Sequence, residues 1–188
     1  MFFTKVKDEP AHVALLEQLE ANPDLWGQFG QRKAMTAHAE MTDIWVRYNK
    51  PENIGPRFND EHDAVWYPAY YKLPALKDII FPLMRDVEGE RIGGVLITKI
   101  PPGQGIKPHI DKSWHVDYYD KFYLSVKSKP GAVFSAALGD HVEHLNPKAG
   151  EIWRFDNRNL HWVTNDSDEE RITLIVCIRT EKYTRAAS

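Results

Sequence analysis

A chain of 188 residues, 43% hydrophobic and 27% charged, can bury one sizeable core, so a single domain over residues 1–188 is expected. The formal net charge of −3 gives no broad attraction to phosphate backbones, and nucleic acid is not the expected partner. One cysteine excludes an internal disulfide framework and any Cys-rich metal site, and the lack of a long apolar run points to a cytoplasmic protein without a membrane span.

Before residue 92 the chain reads as helix and loop. Asp8 and Pro10 mark a helix start, Val13, Leu16 and Leu19 follow at helical spacing, and Asn22-Pro23 closes the helix. Asp43 to Tyr48 resembles a short strand. Pro51, Gly55, Pro56 and Pro68 break the segment from Asn49 to Lys72, where Trp66, Tyr67, Tyr70 and Tyr71 either cover the core or wall a substrate pocket. A second apolar-periodic stretch carries Leu76, Ile79, Ile80, Leu83, Met84 and Val87, with Pro82 expected to kink or end it.

From residue 92 to 179 short strands alternate with turn residues. The expected strands are Gly94–Ile100, Ile110–Asp111, Phe122–Val126, Ala132–Leu138, Val142–Leu145, Glu151–Phe155, Trp162–Thr164 and Arg171–Arg179, followed by a tail over 180–188. Pro101-Pro102-Gly103, Lys129-Pro130-Gly131, Gly139-Asp140, Asn146-Pro147 and Asn165-Asp166-Ser167 supply the turns. This pattern implies a mainly β fold with flanking helices. The expected architecture is a double-stranded β-helix, a cupin-like jelly roll, with N-terminal helical elements packed outside.

The chemistry lies in His109-x-Asp111, the distal His161, and Arg171 ten residues further on. Two imidazoles and one carboxylate on one face of an iron(II) ion leave positions open for a cosubstrate and oxygen. The two-residue spacing is a weak signal by itself, since His115-x-Asp117 has the same form. The first pair is preferred because it stands at a strand, where side chains two apart share a face, whereas SWHVDYYDK reads as loop. Arg171 offers a planar fork that can hold one carboxylate of a dicarboxylate whose other end reaches the metal. Trp114, Tyr118, Tyr119, Arg154, Arg158 and Trp162 flank these segments as candidate pocket residues. His141, His144 and Cys177 read as structural.

TKIPPGQGIKPHID, KFYLSV with the turn KPG, and AGEIWRFDNRNLHWVTNDSDEERITLIV together resemble the aspartyl/asparaginyl β-hydroxylase family of Fe(II)- and 2-oxoglutarate-dependent oxygenases. The resemblance covers Ile97 to Arg179, a little under half the chain. It implies that His109, Asp111 and His161 bind Fe(II), and that Arg171 and the Thr98 hydroxyl hold the distal carboxylate of 2-oxoglutarate. Where the family commonly carries Arg-x-His on the third core strand, this chain has Lys121 and Tyr123, which the resemblance makes further cosubstrate-binding residues. The implied activity uses O2 to hydroxylate an unactivated C–H bond of an amino acid, or of a residue in a peptide or protein, with release of succinate and CO2. The same chemistry on a nucleobase or small metabolite, or a non-catalytic cupin-like binding module, are the alternatives.

Overall fold

The computed structural model describes residues 1–32, 34 and 36–180, so all of the expected tail except Thr180 lies outside the described residues. The chain opens with a strand, β1 (Phe3–Asp8), followed by helix α1 (His12–Ala21), strands β2 (Thr42–Tyr48) and β3 (Val65–Trp66), and helices α2 (Pro68–Lys72) and α3 (Ala75–Asp86). Then come β4 (Gly89–Ile100), β5 (Gly105–His109), helix α4 (Trp114–Tyr118), β6 (Asp120–Lys127) and β7 (Ala132–Leu138). The series closes with β8 (His141–Leu145), β9 (Glu151–Phe155), β10 (Leu160–Asn165) and β11 (Arg171–Thr180). A seven-stranded sheet has the order β1-β9-β6-β11-β4-β2-β3, and a four-stranded sheet the order β5-β10-β7-β8.

Alternation on the large sheet sorts its side chains into two chemically different faces. Ile44, Ile97, Phe122, Leu124, Leu174, Val176 and Ile178 point outward and join Leu15 and Leu19 of α1 and Leu76, Ile79, Ile80 and Leu83 of α3 in one apolar cluster. The expected packing of helices outside the β core is what forms. The opposite face carries Lys121, Tyr123, Ser125, Thr173, Ile175 and Cys177, as the cross-strand pairs Thr173–Ser125, Ile175–Tyr123 and Cys177–Lys121 require. Phe3, Ile100 and Phe155 from this side meet Phe134, Ala136 and Val163 of the small sheet. The interior is therefore apolar at one end and polar along a stripe, and the stripe is where the chemistry sits.

Several elements differ from the sequence reading. β1 was not expected; it is recruited by pairing with β9, Phe3 opposite Phe155, and so draws its order from a distant partner. Pro82 does not end α3. An interior proline costs about 3 kcal/mol, but burying Leu76, Ile79, Ile80 and Leu83 contributes about 1.5–3 kcal/mol for each side chain. β3 and α2 give regular structure to part of the Pro-rich segment. Ser113 caps α4 by accepting from the Val116 N–H at 3.4 Å, so the run read as loop is a short helix. The expected strand at Ile110–Asp111 ends instead at His109, leaving Asp111 just beyond it. No helix among the described residues is long and apolar enough to cross a membrane.

Candidate active site

The register between β5 and β10 places His109 directly opposite His161. Opposed residues of an antiparallel pair share a face, and the two imidazole centroids lie 4.2 Å apart. Gly105 allows β5 to run this close to β10, since a Cβ there would meet the Val163 carbonyl oxygen at 2.4 Å. Asp111 is held at the end of β5 by its own N–H, which donates to Asn157 O at 3.3 Å. Its Oδ1 lies 3.6 Å from His109 Nε2, and its Oδ2 4.0 Å from His161 Nε2. One donor atom from each of the three residues falls within 4.8 Å of the others.

Both rings are turned with Nε2 inward for the same reason. His109 Nδ1 lies 2.7 Å from Lys107 O and His161 Nδ1 2.8 Å from Asn159 O. A carbonyl only accepts, so each Nδ1 carries the proton and each Nε2 presents a lone pair. Metal-ligating histidines are oriented by this kind of hydrogen bond. Burial pushes the His161 imidazole down to about 4. Burial alone would push the Asp111 carboxyl up, but the Lys121 ammonium, His161 and the hydrogen bonds from Lys121 and Asn157 outweigh it and hold the group well below the usual carboxylate range. Those bonds are short, Lys121 Nζ donating at 2.6 Å and Asn157 Nδ2 at 2.7 Å, both to Oδ2. Neutral imidazoles beside an ionised carboxylate form a donor set that fits a divalent metal.

On one side of the triad, the His161 ring packs against Phe155 at 5.0 Å and Phe134 at 6.1 Å. Behind those rings Arg171 enters a closed cavity with Tyr123, Ser125, Trp153 and Thr173. Arg171 is 4% exposed. Neither its Nε nor the buried Thr173 Oγ1 has a hydrogen-bond partner, and no described carboxylate forms an ion pair with it. Burial lowers the guanidinium to about 10, and burial also pushes the Tyr123 phenol up to about 12. The cavity, about 10 Å³, is barely large enough for one water molecule, so an occupying carboxylate would require its lining side chains to shift. Thr98 shares a cross-strand row with Thr173, but its Oγ1 donates to the Thr173 carbonyl at 3.5 Å, and Thr173 rather than Thr98 lines the cavity.

On the other side a larger cavity, about 430 Å³, reaches His109, Asp111 and Lys121 and is walled by Trp45, Tyr48, Phe58, Leu96 and Ile175. Arg32 and His38 line it as well, and the His38 ring meets that of His109 edge-on at 4.7 Å. Burial first, and then Arg32, push His38 down to about 3. Cys177 also lines this cavity, buried as expected, its thiol pushed up to about 11 by burial. Arg32, His38, Asn157 and Thr173 escaped the sequence reading. Only Thr173 had an accessible signal, since residues two apart on a strand share a face with Arg171.

The expected pocket residues are not brought to this cavity. Trp114 and Tyr118 line a separate open groove with Glu61, Asp63 and Arg91. Tyr119 is buried beside Ile175 and Cys177, Arg154 pairs with Asp120 at 3.0 Å, Arg158 pairs with Asp156 at 2.7 Å, and Trp162 packs near His144. His115 of the competing His-x-Asp pair is buried with Nε2 accepting from the Gly94 N–H at 3.2 Å, a structural role. Tyr67 and Tyr70 belong to the core while Tyr71 is exposed, and none of them lines the large cavity. His144 Nδ1 is 2.8 Å from Ser135 Oγ, and His141 Nε2 is 3.0 Å from Glu143, as fits structural roles.

Two antiparallel sheets form a β-helix that carries a His-Asp-His donor set able to hold a metal ion. Residues 59–180 match the family model of aspartyl/asparaginyl β-hydroxylases, and the chain belongs to that family. Membership makes it a hydroxylase, and the His-Asp-His group could hold a metal ion. No curated protein matches the chain. Among solved structures, it is similar to a prolyl hydroxylase from Trichoplax adhaerens in complex with a hypoxia-inducible-factor oxygen-degradation-domain peptide fragment (TM-score 0.64, 14% identity, 99% of this chain and 87% of that one). It is similar also to a Pseudomonas putida prolyl-4-hydroxylase (TM-score 0.56, 14% identity, 96% of this chain and 93% of that one). A Burkholderia pseudomallei oxidoreductase of the 2OG-Fe(II) oxygenase family gives TM-score 0.57 at 15% identity over 74% of this chain, which spans 66% of that protein. At these identities the structural likeness establishes the fold.

Proposed function

We propose that His109 Nε2, Asp111 and His161 Nε2 hold Fe(II), and that Arg171 with Thr173 holds the distal carboxylate of 2-oxoglutarate. With those groups bound, the iron supplies the oxidation that converts an unactivated C–H bond to C–OH while 2-oxoglutarate and O2 become succinate and CO2. The observation that carries this reading is Arg171: a buried guanidinium without a carboxylate partner among the described residues, in a cavity beside the rings that pack on His161. A buried cation normally needs a paired anion, and a dicarboxylate reaching toward the donor set would supply it bidentately. Tyr123, on the same cavity wall, can donate its hydroxyl to that carboxylate. Thr98 supports the arrangement through the Thr173 main chain. Lys107 and Asn159 carbonyls keep the imidazoles turned, and the Phe134 and Phe155 rings pack an apolar wall against His161.

The substrate we assign is an amino acid or a residue of a peptide or protein entering the cavity of about 430 Å³, a volume within the usual range for small ligands. Trp45, Tyr48, Phe58 and Leu96 would hold its apolar part beside His109 and Asp111. The peptide bound by the Trichoplax adhaerens prolyl hydroxylase supports a chain residue as substrate. Anaerobic calorimetry of metal-stripped protein with 2-oxoglutarate, with and without Mn(II) as an inert stand-in for iron, tests the cosubstrate site. Metal-dependent binding in wild type that weakens at least about a hundredfold in Arg171→Ala is expected, from loss of a charge-assisted bidentate contact. Equal binding by the two proteins would remove Arg171 from this role. Binding by neither protein, with or without metal, would favour a non-catalytic module.

A further inference from the structure

Lys121 stands where the family pattern leads one to expect a cosubstrate contact, yet it is aimed elsewhere. It lies on the inner face of β6 opposite Cys177 and is absent from the lining of the Arg171 cavity. Its Nζ donates instead to Asp111 Oδ2 at 2.6 Å, with the lysine side chain only 18% and the aspartate 23% exposed. Asn157 Nδ2 donates to the same oxygen at 2.7 Å, so Asp111 is already oriented by a neutral group. Positioning alone therefore does not require a second donor, still less a charged one.

Resting on the reading that His109, Asp111 and His161 hold iron, we infer that Lys121 divides the site's affinity between its two charged ligands, weakening divalent metal binding and strengthening 2-oxoglutarate binding. The reasoning is a charge count. Two neutral imidazoles and Asp111 alone would present a formal charge of about −1 to a metal, and Lys121 beside Asp111 brings that sum to about 0. A dication entering this set meets a nearby ammonium that repels it. The 2-oxoglutarate dianion, arriving after the metal, meets the same ammonium as an attraction. One fixed cation thus acts with opposite sign on the two binding steps, and salt screens it little because both partners are largely buried. A neutral hydrogen-bond donor in the same place would orient Asp111 and leave this balance untouched.

The test is anaerobic calorimetry in two stages: Mn(II) into metal-stripped protein, then 2-oxoglutarate into the Mn(II)-saturated protein. It is run on wild type, Lys121→Gln, Lys121→Met and Lys121→Arg, each checked for folding by thermal melting. Lys121→Gln keeps a donor near Asp111 without the charge, and guards against a misfolded Met variant. The Gln and Met variants should bind Mn(II) about tenfold or more tightly than wild type and 2-oxoglutarate about tenfold or more weakly, with Arg within about threefold of wild type on both. Metal and cosubstrate affinities falling together in Gln and Met would reduce Lys121 to a shaping residue and overturn the inference. So would a Gln variant matching wild type, which would make the hydrogen bond the operative feature. Wild type binding Mn(II) with all variants unchanged removes Lys121 alone, whereas a wild type that binds no Mn(II) brings down the underlying assignment of the metal site.

Discussion

Replacing Arg171 by Met removes a buried cation while keeping a long unbranched apolar side chain in its place. Burial lowers this guanidinium from the ordinary arginine range to about 10, a difference equivalent to about 3 kcal/mol. Arginine is a base whose folded value lies below its unfolded one, so the native state carries this penalty at neutral pH and loses it only as pH rises above about 10 toward the ordinary arginine range. Arg171→Met should therefore stabilise the ligand-free protein. Part of the gain is lost with the guanidinium's contact over the Phe134 ring at 6.0 Å, leaving a net of about 1–3 kcal/mol. For a chain of this length that raises Tm by about 2–12 °C. The assay is thermal melting at neutral pH of metal-stripped and Mn(II)-loaded protein, each with and without 2-oxoglutarate. Saturating 2-oxoglutarate at about a hundred times its Kd adds about 2.7 kcal/mol to Mn(II)-loaded wild type and at most about 0.4 kcal/mol to a variant weakened a hundredfold, so the ligand should raise wild type by about 2 kcal/mol more than the variant. A ligand-free variant that melts below wild type would show that Arg171 holds the fold together and is not reserved for an anion.

Further outcomes follow from the same geometry. Asn157→Ala removes one of the two donors to Asp111 Oδ2 and should weaken Mn(II) binding about 10- to 100-fold with Tm little changed, read by calorimetry; an unchanged affinity would make Lys121 sufficient to orient the carboxylate. Asp111→Ala should abolish Mn(II) binding, whereas His115→Ala should leave it intact and lower stability by about 1–3 kcal/mol through the lost acceptor for the Gly94 N–H. Metal loss in His115→Ala in a protein that still folds would transfer the site to the other His-x-Asp pair. Leu96→Trp fills the large cavity and should block a peptide or amino-acid substrate while 2-oxoglutarate binding stays within about threefold of wild type. Loss of both together would mean that the two cavities are not separate binding spaces.

Residue types and their order made the β-helix with outer helices legible before any coordinates. Strands such as Ala132–Leu138 and Glu151–Phe155 carry their own alternation and turn residues, so local chemistry fixes them. The proposed set of His109, Asp111, His161 and Arg171 came from residue type and order together with the family resemblance, because the His-x-Asp spacing alone is weak. What the sequence could not decide was which neighbours those residues would meet. β1 exists through a partner about 150 positions away, and α3 survives Pro82 because a sheet covers its apolar stripe. The Lys121–Asp111 pair follows from where β6 and the end of β5 face each other across the interior. Asn157, His38 and Arg32 reach the site from loops and a 3-10 turn whose sequences carry no periodic signal. Local periodicity specifies which face a side chain takes, while the identity of the group across from it depends on sheet order and register, and those are set only when the whole core closes.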